Sequence, residues 1–142
     1  MSKAYVVNES APPLEGWDDL ARGTCMWRTM ISADVAPTNT FSTGIAYFAP
    51  GATLAPHLHS HPEVYFVLEG ELEVTIAGVK HCVTPNTSLF IPGNTVHELF
   101  NAALEPARLY YCFATDRFSD VVYQFPYPAK PEPAPNQGLV AL

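Results

Sequence analysis

Positive charge is scarce in this chain. Seven Lys plus Arg stand against fourteen Asp plus Glu, for a formal net charge of −7, and the basic residues are scattered singly. A polyanion is held by a basic face that releases its counterions, so neither nucleic acid nor an anionic membrane surface is expected as a partner. Long apolar runs are missing as well: Pro or Gly interrupts every candidate before the ~18 residues of a spanning helix. The N-terminus has no basic region followed by a long apolar stretch, so no signal peptide is expected and a cytoplasmic location is the default. Cysteine is sparse. Cys25, Cys82 and Cys112 are odd in number, have no CxxC spacing and lie in apolar strand-like runs, which reads as reduced core cysteine. No stretch sustains helical periodicity over three turns, and no internal repeat is visible.

What the chain does have is apolar residues and punctuation. Hydrophobic residues make up 48% of the 142 and charged ones 15%, the balance of a single globular domain that buries about two-thirds of its unfolded surface. Short apolar alternations predict strands at 24–31, 45–49, 64–68, 72–77, 79–83, 88–91, 96–100 and 108–114, separated by Gly, Pro and Asn turns. Residues 17–21 fit one helical turn, and 118–123 fit a further strand or a short helix. Eight or more short strands indicate an all-β fold, a small antiparallel β-barrel or jelly roll. The organisation expected is an N-terminal segment (1–22), a barrel (23–124) and a Pro-rich C-terminal arm (125–142). Five of the fourteen prolines fall between Pro126 and Pro135, so the arm is expected to be extended, either solvated or lying on the barrel or a second subunit.

The chemistry concentrates in residues 51–70. His57 and His59 are two apart, so on an extended strand both point to one face. Pro62 and Ser60 mark a bend, and Glu63 opens a strand expected to return antiparallel beside the first. His97 follows the turn Pro92-Gly93-Asn94. Three imidazoles and one carboxylate with coordination positions left open suit one divalent transition metal ion, Fe, Ni, Mn, Co or Zn, and a small-molecule substrate. His61 is expected to face solvent on the loop between ligands, and His81 to be a surface strand residue. Tyr65 is two residues after Glu63, on the same inward face. It is either barrel core or a general base whose phenol, of ordinary pKa about 10, is lowered by a nearby dication. Trp27, Tyr47 and Phe41 are candidates for an aromatic pocket that takes a cationic group.

Gly51, His57, His59, Glu63 and Gly70 fall at the spacing G-x5-H-x-H-x3-E-x6-G, which resembles the first motif of the cupin superfamily. The second motif, G-x5-P-x-G-x2-H-x3-N, is matched at Pro92, His97 and Asn101. It departs at Asn86 and Asn94, with Gly93 shifted one earlier, and asparagine is the residue best able to replace glycine in a left-handed turn. The resemblance implies a small β-barrel with a mononuclear metal inside. Glu63-Val64-Tyr65, Met26-Trp27-Arg28 followed by Ser32-Ala33-Asp34, and the stretch from Thr115 to Tyr123 are similar to single-domain cupin lyases acting on dimethylsulfoniopropionate. That likeness brings Tyr123 to the site as a second candidate base. It implies a metal-dependent carbon–sulfur lyase that eliminates across a small carboxylate. A metal dioxygenase and a non-catalytic small-molecule-binding cupin are the alternatives. A homodimer is expected, because so small a barrel leaves strand surface and edges to cover.

Overall fold

The structure is a computed structural model and describes residues 3–127. Ten strands form two antiparallel sheets: β1 (Glu15–Gly16), β2 (Met26–Ile31), β3 (Ser42–Phe48), β4 (Thr53–His57), β5 (Glu63–Glu69), β6 (Leu72–Ile76), β7 (Val79–Val83), β8 (Ser88–Ile91), β9 (His97–Phe100) and β10 (Ala107–Phe113). One sheet runs β1-β2-β3-β10-β5-β8 and the other β4-β9-β6-β7. Two facing antiparallel sheets make the jelly roll expected of the chain. Among the described residues no helix is long and apolar enough to cross a membrane. The described segment ends just inside the expected Pro-rich arm, so residues 128–142 of that arm lie outside it.

Side-chain alternation closes the barrel. On β10, Ala107, Leu109, Tyr111 and Phe113 are buried while Arg108, Tyr110 and Cys112 face outward. On β5, Glu63, Tyr65 and Val67 point inward with Leu89 and Ile91 of the adjacent β8. Leu72, Val74 and Leu99 close the core from the other sheet. Tight turns join these strands at left-handed positions. Ala77 and Gly78 (φ 50° and 80°) make the β6–β7 hairpin, and Asn86 and Asn94 (φ 68° and 57°) take the conformation expected of them in place of glycine. Gly70 (φ 72°) is required twice over, because a Cβ there would also collide with the Pro106 carbonyl.

Three expectations need correction. The hairpin predicted from 51–70 does not form: β4 pairs with β9, while β5 pairs with β10 and β8 in the opposite sheet. The bend at 58–62 therefore crosses from one sheet to the other, and the inward-facing residues of both strands reach the core without their pairing. Residues 17–21 are not helical. Two successive turns, Asp19 O to the Arg22 amide (3.0 Å) and Leu20 O to the Gly23 amide (3.1 Å), lead the chain into β2. Cys82 is exposed on β7, an edge strand, opposite Glu73 on the outward face; the three cysteines are free, but only Cys25 is in the core. Residues 118–123, expected as a further strand or a short helix, give one turn of 3-10 helix, Phe118–Asp120, and then run extended.

Candidate metal centre

The site lies between the sheets at one end of the barrel. His57 ends β4, His97 begins β9 directly opposite it, Glu63 begins β5, and His59 sits in the crossing between β4 and β5. Strict alternation from Leu54 would turn His57 outward, three residues on. A register shift between Leu54 and His57, where Pro56 has no amide to give, brings both side chains inside. The crossing is braced by the turn before β9. The Asn94 amide donates to the His59 carbonyl (2.7 Å), and the Ser60 carbonyl packs where a side chain on Gly93 would have to be. Asn101 is structural: its amide group donates to the carbonyls of Phe48 (2.9 Å) and Glu105 (2.8 Å).

Each imidazole is aimed by its own backbone. His57 Nδ1 lies 2.7 Å from the Ala55 carbonyl, His59 Nδ1 2.8 Å from that of His61, and His97 Nδ1 2.8 Å from that of Thr95. A carbonyl only accepts, so each Nδ1 carries the proton and each Nε2 presents a lone pair. The three ligand nitrogens fall within 4.8 Å of one another. Glu63 Oε1 is 3.3 Å from His59 Nε2 and 3.5 Å from His97 Nε2. All four of these atoms are buried, and none has a hydrogen-bond partner. Four unpartnered lone-pair atoms around one point are costly unless something positive sits among them, and a divalent transition metal ion fits that donor set.

Electrostatics agree with this geometry. Burial, and then the neighbouring His97, push the His57 pKa down to about 3, so its lone pair stays free near neutrality. Burial alone would raise the Glu63 pKa; a hydrogen on the His59 or His97 nitrogen that faces it, or an ion in that place, is what holds the carboxyl below its ordinary range. Tyr65 and Tyr123 are both pushed well above the ordinary phenol, by burial first and then by the Glu63 charge.

Beside the four donors is a cavity of about 30 Å³, walled by Trp17, Trp27, Tyr65, Tyr111, Phe118 and Tyr123, with Glu63 also on its lining. Tyr123 stacks on His57 (ring centroids 5.1 Å, interplanar angle 25°) and meets the edge of His59 at 5.2 Å. It is brought there by a two-way bridge between Leu58 and Gln124, amide to carbonyl at 2.9 Å in each direction. Trp17 packs on Trp27 (5.1 Å), Tyr123 (5.3 Å) and Phe125 (5.7 Å), with the Arg22 guanidinium over its ring.

Trp27 is thus where an aromatic wall requires it, but Tyr47 and Phe41 are not. Tyr47 lies between the inward Ala46 and Phe48 and so faces outward, where its hydroxyl donates to Glu9 (2.6 Å), and Phe41 is exposed. His61 is half-buried rather than solvent-facing and stands apart from the histidine cluster; its carbonyl, not its ring, serves the site. His81 is exposed on β7 as expected. Trp17, Tyr111, Phe118 and Phe125 were not candidates from the sequence. Trp17 and Phe125 fall in stretches without strand periodicity, and the inward parity of Tyr111 with Phe113 was the available signal for Tyr111.

Comparison with known proteins agrees with this architecture. The cupin-domain family model matches residues 44–113. The dimethylsulfoniopropionate lyase DddW of Ruegeria pomeroyi is 38% identical over 121 residues, 85% of this chain and 79% of that protein. Among solved structures, the polyketide cyclase RemF from Streptomyces resistomycificus superposes with a TM-score of 0.75 at 17% identity, over 90% of this chain and 89% of that one. A predicted oxalate decarboxylase from Thermotoga maritima gives 0.69 at 16% identity, over 78% and 99%. Identities this low speak to the fold alone. The fold and a relative that spans most of both chains agree: the chain belongs to the cupin family.

Proposed function

We propose that this cupin is a metal-dependent carbon–sulfur lyase that eliminates across a small carboxylate, with dimethylsulfoniopropionate as the substrate to test first. The observation that carries the reading is the place of Glu63. It belongs to the cluster of unpartnered donor atoms with His57, His59 and His97, and it lines the aromatic cavity together with Tyr65. The lyase relative, similar over most of the chain, supports the choice of reaction.

The four donors would hold one divalent ion. When bound, it supplies positive charge that acidifies the α-hydrogens of a nearby carboxylate and offsets the burial and Glu63 charge that push the Tyr65 phenol up. With that charge present, Tyr65 would lose its own proton to solvent and, as the phenolate, take the α-proton onto its oxygen. The carbon–hydrogen electrons form the carbon–carbon double bond, and the β-carbon–sulfur electrons leave with the neutral sulfide. Tyr123, stacked on His57, is the second candidate for proton transfer. Trp17, Trp27 and Phe118 exclude water and offer ring faces that suit a sulfonium.

Release of the volatile sulfide from dimethylsulfoniopropionate under nitrogen, by protein of measured metal content, is the test. Turnover that appears only in air would replace elimination with dioxygenase chemistry. Metal-loaded protein without turnover under either atmosphere would leave a binding cupin.

A homodimer is part of the same proposal. On the outer face of the larger sheet, Val64, Phe66 and Phe90 are exposed next to the half-buried Tyr110 and Cys112, an uncharged apolar patch for a second copy to cover. Sedimentation of a monomer at micromolar concentration would remove it.

A further inference from the structure

The segment from Thr115 to Asp120 gives the site above only the ring of Phe118, yet it is fastened with more side-chain bonds than the four candidate ligands are. Its anchor is Asp34, just past the end of β2. Asp34 Oδ2 accepts from the Ser119 amide (3.0 Å) and from Ser32 Oγ (3.1 Å), while Oδ1 accepts from Ser119 Oγ (2.8 Å) and from the Arg117 guanidinium (3.5 Å). Ser32, fully buried, takes the Phe118 amide (3.1 Å) on the hydroxyl it donates to Asp34. The Ala33 amide adds a bond to the Asp116 carbonyl (2.6 Å). Four donors converge on one side chain, which must therefore be acceptor-only; a carboxylate meets that demand and an amide does not. The Ser119 amide and hydroxyl accordingly hold the Asp34 carboxyl below its ordinary range.

What this clasp joins is the cavity wall. β2 carries Trp27, and the fastened turn carries Phe118, whose rings lie 6.2 Å apart. Phe118 continues the wall to Tyr111 (5.8 Å) and Tyr123 (6.4 Å). Asp34 is partly exposed, with 31% of its side chain accessible, and touches none of the four candidate ligands. We propose that Asp34 is a positioning residue: through Ser32 and Ser119 it fixes Phe118 against Trp27 and so sets the affinity of the cavity for substrate. This role rests on the cavity being the substrate site.

Both tryptophans of the chain line that cavity, so their emission reports on the wall whether or not anything is turned over. In the full chain loaded with spectroscopically silent Zn²⁺, Asp34→Ala raises acrylamide quenching of tryptophan emission by roughly twofold, as expected when a local packing unit opens. Asp34→Asn, which keeps half of the acceptor sites, falls between parent and alanine, and zinc stoichiometry stays that of the parent. In protein as purified, KM for dimethylsulfoniopropionate rises roughly tenfold while kcat stays within about threefold, the signature of lost binding rather than lost chemistry. A variant that melts earlier but keeps the parent's quenching and KM would overturn the proposal, as would loss of zinc. If Asp34→Ala does not fold, Ser119→Ala, which deletes only the 2.8 Å bond, is read in its place. If the parent itself does not turn over this substrate, the lyase reading falls, and the quenching series alone decides Asp34.

Discussion

The two ends of the cavity are built in different ways. At the histidine end every imidazole is aimed by a backbone carbonyl two residues away: Ala55 for His57, His61 for His59, Thr95 for His97. At the aromatic end the wall is held by contacts between residues far apart in the chain, 85 apart for Asp34 and Ser119 and 86 for Phe118 and Ser32. Local anchoring makes the ligand end a short string of residues at set spacings. Long-range anchoring leaves the aromatic end with no pattern of its own. Under the proposed function, the first half would hold the metal and the second would select the substrate.

The strongest way to break the comparison is to remove a ligand. His59→Ala should abolish tight metal binding and turnover and leave a folded barrel, because the strands are held by their ladders and an apolar core in which Phe48, Ile91 and Leu109 are fully buried. Metal analysis and circular dichroism on the same sample check both parts. Full metal occupancy in that variant would end the ligand assignment. Tyr65→Phe comes next, at the junction of the two ends. It keeps the ring and its packing, so metal content and substrate binding should survive while kcat falls by roughly 10²–10⁴. Were Tyr65 core alone, the lost hydroxyl would cost about 1 kcal/mol of stability and turnover would barely move. Tyr123→Phe measured beside it shows whether the proton-transfer role is shared or exclusive.

A smaller effect tests whether the ligand end is as local as it looks. Gly93 has an ordinary φ, yet a Cβ on it would collide with the Ser60 carbonyl in the crossing that carries His59. Gly93→Ala should therefore weaken metal affinity by roughly 10–100-fold, the usual scale for disturbing the support of a ligand, with little change in the kcat of the metal-loaded fraction. Metal titration of the two proteins decides it. Unchanged affinity would mean that the crossing yields freely.

The same division governs how much could be read in advance. The β6–β7 hairpin was legible because Leu72, Val74 and Ile76 alternate up to Gly78, and two residues at positive φ are what such a turn demands. His57, His59 and His97 stood out together with Glu63 because the four fall at set spacings and the supports of the three rings are local. Which sheet a strand joins was not legible. Alternation says which side chains face inward but not which strand lies alongside, so β4 and β5 read as a hairpin when each pairs elsewhere. The inward turn of His57 depends on a register shift that shows only as a proline inside a strand. Trp17 had no signal at all: it stands between β1 and the turns at 19–23, and those turns are tied to β4, whose Ala55 amide donates to the Arg22 carbonyl (2.8 Å).

The gentlest probe of the ligand end is pH, applied to metal-free protein. Burial first, and the neighbouring His97 next, bring the His57 pKa in the folded barrel from 6.5 to about 3. As pH falls through 6.5 the unfolded chain takes up a proton at His57 and the folded barrel does not, so the unfolded state gains. The stability tied to neutral His57 is thus fully present above about pH 6.5, drains away as pH falls, and is exhausted near pH 3. Glu63, whose carboxyl is held below its ordinary 4.5, tilts the curve the same way over the lower part of that range. The melting temperature of chelator-treated protein should therefore decline steadily from pH 7 to pH 4. His57→Gln, which cannot titrate, should show a flatter decline over the same range. Equal slopes in the two proteins would move the acid sensitivity away from His57, and with it the view that this ring enters the folded barrel as a free lone pair.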